Sequence, residues 1–170
     1  TLSAGTGATV NYSNLTQVTV DGVAGDDTFT VTSAGTPTTL LGQTGDNTFN
    51  VRADTALVTI NTGTGTNTIN VGSNAPSATS NVLANVVGGV DVIGSGTDVL
   101  NIDDAGNTAA TAVTLSTTGF TGIGGGITYS GLATLNVKRG AGGNTLNVTG
   151  SPACTATAVN RSAGVNCMLI

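Results

Sequence analysis

The chain has no histidine, tryptophan or glutamate, and only 8% of its 170 residues are charged. Each absence excludes a class of function. Without histidine there is no imidazole base and no imidazole metal ligand, so Ser-His and Cys-His catalysis are out. The basic residues are Arg52, Lys138, Arg139 and Arg161, and the net charge is −5. Neutralising a phosphate backbone needs many more cations, so nucleic acid is not an expected partner. Lys, Glu, Arg and Gln are so scarce that long helices are not expected. The longest apolar stretch, Val82–Val92, is broken by Asn85, Gly88 and Gly89 and is far too short to span a bilayer.

What is present is Gly, Thr and Asn: 26, 33 and 17 residues. Threonine with Val and Ile favours strands, and Gly with Asn favours turns. A hydrophobic share of 38% at low charge does not fit a disordered chain. The two cysteines, Cys154 and Cys167, are close enough in sequence to be bridged, and a disulfide between them is expected. Such a bridge implies export. The chain opens on Thr1 with no signal segment, so a mature chain or a fragment is expected.

The chain repeats itself every 20 residues without gaps over three copies. Gly25, Gly45 and Gly65 align, as do Asp27, Asn47 and Asn67, then Phe29, Phe49 and Ile69, then Val31, Val51 and Val71. Val20, Leu40 and Ile60 form an earlier row. The unit is G-x-[DN]-T-[FI]-x-V, a turn followed by a strand whose alternate residues face opposite ways. Gly96, Asp98, Leu100 and Ile102 make a fourth copy, and Gly142, Asn144, Leu146 and Val148 a fifth. Tyr12–Val31 also matches Tyr129–Val148 at 8 of 20 positions, which suggests a super-repeat of 117 residues.

One such unit cannot bury its apolar row, but stacked units can. The expected fold is therefore all-β, a parallel β-solenoid with coils of about 20 residues and loop insertions, read as one segment over 1–170. An antiparallel β-sandwich is the alternative, although it has no reason to hold a strict register. Regular coils are expected over 12–71, looser coils and insertions over 72–128, a returning coil over 129–148, and a Cys-containing terminal segment over 149–170. Within the looser part, Val82–Val87 and Ala112–Leu115 read as strands, and 74–77 and 119–126 as excursions.

Gly22, Gly25, Asp27 and Phe29, and again Gly94, Gly96, Asp98 and Leu100, fit G-G-x-G-x-D-x-U-x. The unit thereby resembles the nonapeptide of RTX-type β-rolls. More broadly, the chain looks like the Thr/Asn/Gly-rich repeats of large bacterial surface proteins and adhesins. The first resemblance implies calcium at the turns, with Asp26, Asp27, Asp46, Asp98, Asp103 and Asp104 as candidate ligands. Asn47, Asn67 and Asn144 stand at the ligand position, and neutral amides serve a hard cation poorly. Asx-turns stacked as a metal-free ladder are the preferred expectation, and no cofactor is assigned. The run 103–107 reads as a solvated turn.

Thr28, Thr48 and Thr68 beside Thr30, Asn50 and Asn70 form an outward Thr/Asn face. It is similar to the ice-binding faces of some solenoid antifreeze proteins, though Thr propensity and asparagine ladders account for it without ice. Paired Asp residues admit a polysaccharide-processing enzyme, but aromatic platforms are scarce. The reading reached is a non-enzymatic, structural extracellular repeat protein, secreted or on the cell surface. It would be a stiff spacer, stalk or filament-forming subunit of a bacterial-type surface fibre or adhesin. Its partners would be itself, head-to-tail or laterally, with other surface proteins or glycans. A calcium-dependent adhesion module, an ice binder and an enzyme are the alternatives, in that order.

Overall fold

The computed structural model describes residues 13–154, 156–161 and 167–169. Among them are strands and turns and no helix. The strands are β1 (Val18–Asp21), β2 (Thr28–Val31), β3 (Thr38–Leu41), β4 (Thr48–Val51), β5 (Val58–Asn61), β6 (Thr66–Val71), β7 (Val90–Ile93), β8 (Thr97–Asp103), β9 (Ala112–Leu115), β10 (Gly119–Thr121), β11 (Ile127–Ser130), β12 (Thr134–Arg139), β13 (Thr145–Val148), β14 (Ala156–Arg161) and β15 (Cys167–Leu169). They form two sheets. The first runs β1-β3-β5-β7-β11-β10-β9-β13-β15, the second β14-β12-β8-β6-β4-β2.

The chain alternates between the sheets, and each circuit lays its strands parallel to those of the last. Val18 pairs with Thr38 and Thr38 with Val58; Thr28 pairs with Thr48 and Thr48 with Thr68. The 20-residue spacing of the sequence is thus one strand step in both sheets. The corners keep the same step, through Ala24 to Thr44, Thr44 to Thr64 and Ala34 to Asp54. This parallel register replaces the antiparallel sandwich. Glycine recurs at the first corner because nothing larger fits: a Cβ on Gly45 (φ +127°) or Gly65 (φ +112°) would lie 2.2 Å from the carbonyl oxygen of the glycine one circuit back.

The core lies between the sheets. In-register stacking puts like residues in columns, Phe29-Phe49-Ile69-Leu100-Leu135 from the second sheet and Leu40-Ile60-Val92-Tyr129 from the first, all buried. The rings of Phe29 and Phe49 lie 4.8 Å apart and 3° from parallel. Parallel pairing fixes that spacing, since neighbouring strands are about 4.8 Å apart.

After β6 the period loosens. Val58 pairs with Val90 and Asn67 with Asp98, which leaves room for the excursion 72–89. Val82–Val87 is not the strand its apolar run suggests; within it only Val86 forms a bridge, with Asp54. The second insertion is a meander. β10 is antiparallel to both β9 and β11, and β11 then lands parallel on β7. So 119–126 is a strand and a hairpin turn rather than a loose excursion. The Tyr129 hydroxyl pins the meander by donating to Ser116 O at 2.9 Å. Burial, helped by Cys154, pushes that phenol up to about 12. β9 and β10 add about 10 Å to the first sheet at one strand spacing each.

The structure corrects the 117-residue super-repeat. Of the matched segments, β1 in the first sheet corresponds to Leu135–Lys138 of β12 in the second, and β2 in the second to β13 in the first. They lie half a circuit out of phase. Each half circuit is a turn and a short alternating strand, so one sequence pattern suits either sheet. Gly142–Val148 is therefore not a further copy in the second sheet. That place belongs to Gly131–Val137, where Ala133 follows Asp98 in the column. The C-terminal segment adds a strand to each sheet, β14 on β12 and β15 on β13.

Candidate functional site

The turn carboxylates and amides form a ladder along the first corner. Asn47 Oδ1 accepts from Asp27 N at 2.9 Å, and Asn67 Oδ1 accepts from Asn47 N at 2.9 Å. Asn67 Nδ2 donates to Asp98 Oδ1 at 2.8 Å. The other oxygen of Asp98 accepts from Thr62 Oγ1 at 3.2 Å and from Gly96 N at 3.1 Å. Beside this row, Asp26 accepts from Asp46 N at 2.8 Å and Asp46 from Thr66 N at 2.7 Å, both Asp being exposed. Asp103 ends β8 and Asp104 follows it, at the opposite corner. Among the described residues no three Asp, Glu, His or Cys side chains gather into a group that could hold a metal.

The run 103–107 is not a solvated turn. Asp103 is 8% exposed and Asp104 0%. Asp104 accepts from Leu83 N at 3.0 Å, Asn107 Nδ2 at 3.1 Å and Arg139 Nη1 at 3.2 Å. Arg139, 1% exposed, also donates through Nη2 to Thr111 Oγ1 and to Asn144 Oδ1, and lies 5.9 Å from the Phe120 ring centre. Burial pushes the Asp104 carboxyl up and the Arg139 guanidinium down, each opposed by the partner's charge. Lys138 and Arg139 end a strand, where alternation sends them to opposite faces. Lys138 reaches Asp103 at 3.7 Å with its side chain 41% exposed.

Asp54 is a buried acid that the repeat gives no reason to expect. It stands in the core column between Ala34 and Val86 and is 1% exposed. Its Oδ1 accepts from Gly88 N at 2.5 Å and Gly89 N at 3.1 Å, which fastens the excursion 72–89 to the stack. Its Oδ2 has no hydrogen-bond partner among the described residues. Burial raises its pKa above the ordinary 3.8, against the two amides. A raised carboxyl binds its proton more readily when folded. Its contribution is therefore full below the unfolded value and is lost as pH rises through the folded one. Urea unfolding across pH 3.5 to 7 is expected to show stability falling on that rise. Asp54→Asn should be the more stable form at pH 7, with a shallower slope. An unchanged slope would mean that water reaches Asp54.

The outward Thr/Asn face is not a uniform exposed array. Thr28 and Thr30 are exposed, Thr48, Thr68 and Asn70 half-buried, and Asn50 only 2% exposed. Its amides form a second ladder. Asn70 Nδ2 donates to Asn50 Oδ1 at 3.0 Å, Asn101 to Asn70 at 2.9 Å and Asn136 to Asn101 at 2.9 Å. The excursion folds back toward this face, and Arg52 Nε holds it through Ala75 O at 2.6 Å. A cleft of about 230 Å3 remains between the excursion and the ladder. Asn101 stands between Leu100 and Ile102 of the fourth copy and so continues the row, whereas Asn136 was not recognisable from the copies, because an insertion of 15 residues beyond the 20-residue period precedes its strand, as its pairing with Asn101 shows.

Cys154 is a free thiol, with Sγ 3.1 Å from Ala156 O. The expected bridge to Cys167 is therefore not formed; the side chain of Cys167 lies outside the described residues, as do Tyr12 and the side chain of Arg161. The turn thiol finds local oxygen partners instead, with Thr157 Oγ1 at 3.2 Å. No helix among the described residues is long and apolar enough to cross a membrane. Comparison with family models, with characterised proteins and with solved structures finds no match to this chain.

Proposed function

We propose that this chain is a β-solenoid segment whose role is structural: a stiff spacer, stalk or filament-forming unit of an exported, cell-surface protein. The observation that carries the reading is the parallel register, which runs through the whole second sheet and through the first on either side of the β9–β11 meander. Stiffness follows from that geometry, since each coil is hydrogen-bonded to the next along both sheets and bending must strain every ladder at once. The two side-chain ladders add bonds along the same axis. Asp98 and Asp104 spend their oxygens on structural donors, which supports a role without catalysis. Thr- and Asn-rich outer faces with few charges suit lateral packing in an extracellular coat, and an open coil end suits head-to-tail contact.

Negative-stain electron microscopy of the purified protein tests this, with Ca2+ and with a chelator. Rods or uniform filaments in both conditions are expected, with the same melting temperature. Irregular particles, or order that appears only with Ca2+, would overturn the reading in favour of a calcium-dependent module.

A further inference from the structure

We propose that the cleft over the second asparagine ladder binds one neutral hexopyranose unit of a glycan. Its floor is Asn70, Asn101 and Asn136, joined Nδ2 to Oδ1 at 2.9 Å each. Each linking amide keeps a second N–H, and each accepting oxygen a second lone pair. The floor is thus a row of alternating donors and acceptors repeating at about 4.8 Å, a pattern that vicinal hydroxyls satisfy because each both donates and accepts.

The wall is built before any ligand arrives. Asn81, 1% exposed, accepts from Asn74 N at 2.7 Å and donates to Ser77 O at 2.5 Å, closing the excursion on itself. Arg52 fixes the same loop through Ala75. Little ordering is left to pay for on binding. Pro76, exposed beside the buried Ala75, gives the wall a carbon edge for the C–H face of a sugar ring.

Charge and size narrow the ligand. Lys138 and Asp103 are the charged residues lining the cleft, and they face each other at 3.7 Å. A phosphate, sulfate or uronate would have to compete with Asp103 for one lysine. Among the described residues the lining carries no aromatic ring on which a base could stack, so a sugar would be held here by its hydroxyls and not by a ring platform. A volume of about 230 Å3 is below the roughly 300 Å3 at which pockets begin to take drug-sized ligands. One pyranose ring fits this description, and a peptide strand does not. The proposal does not depend on the spacer reading, since rods and filaments alike would carry the cleft.

The test is a 1H–15N NMR titration of the whole chain with four probes: the methyl glycosides of glucose, galactose and mannose, and N-acetylglucosamine. At least one should give saturable shifts confined to the side-chain amides of Asn70, Asn101 and Asn136 and the backbone of 75–81. The Kd should lie near 1 mM, about −4 kcal/mol. Asn136→Ala should weaken binding at least tenfold with an unchanged circular dichroism spectrum. Should that variant unfold, Asn136→Leu, which keeps the side-chain volume and removes the amide, gives the same reading. Three results would each overturn the proposal: no saturable shift with any probe, shifts that survive both substitutions, or a stronger response to methyl glucuronide or inorganic phosphate.

Discussion

Arg139→Ala is expected to destabilise the protein by about 3–5 kcal/mol, the range for breaking one partner out of a buried ion pair. Arg139 and Asp104 are 1% and 0% exposed. Removing the guanidinium leaves the Asp104 carboxylate in the interior without its cation and opens a void beside Phe120. The loss should begin locally. Asp104 holds Leu83, and Arg139 holds Thr111 and Asn144, so the pair ties the excursion 72–89, the connection to β9 and the corner before β13 to one point. Hydrogen exchange at Leu83 and Thr111 should rise before exchange in β3–β6. The paired replacement Asp104→Leu with Arg139→Met should recover most of the loss, because a packed apolar pair carries no desolvation penalty. Urea unfolding of the unsubstituted protein and the two variants measures both effects. A cost for Arg139→Ala below about 1 kcal/mol, the value of an exposed pair, would show that water solvates this site.

The parts of the fold legible in the sequence are those where one residue type must recur at one spacing. Gly25, Gly45 and Gly65 recur because the corner needs a positive φ at each, and at Gly45 and Gly65 the backbone one circuit back also passes too close to admit a Cβ. Phe29, Phe49 and Ile69 recur because parallel strands stack like on like. The turn amides recur because each accepts a backbone N–H of the neighbouring circuit. What was not legible breaks the period. Asp54 occupies a column shared with Ala34 and Val86, and its purpose appears only when Gly88 and Gly89 arrive against it from 34 and 35 residues away. Asp104 and Arg139 meet across a meander inserted between their strands, and neither belongs to the repeat. The 117-residue match misled for a physical reason: two sheets facing one core ask for the same alternation, so similarity cannot say which sheet a strand joins. Asn50, 2% exposed, is an inner rung of its ladder, joined to Asn70 on one side and to Thr30 on the other.

Phe49→Ala is expected to cost about 3–5 kcal/mol, the range for a large aromatic removed from a packed core. Phe49 is 0% exposed and lies between Phe29 and Ile69 in its column. No neighbour can slide into the space, because the parallel register pins both flanking strands at one spacing. Phe49→Leu should cost less than Phe49→Ala, because it leaves the smaller void. The column already holds Ile69, Leu100 and Leu135 at later rungs, so its geometry accepts a branched aliphatic side chain. The slope of unfolding against urea carries further information. In a stacked array each circuit touches only its neighbours, so a void at one rung can let the end of the stack come away separately. Phe49→Ala should then unfold in two stages, with β1–β4 lost first, whereas Phe49→Leu should keep one transition. The void lies between β2 and β6, so circuits above and below it lose their contact there together. A single transition with unchanged slope in Phe49→Ala would mean that both sheets fold as one unit along their whole length, and the additive picture of stacked circuits would fail.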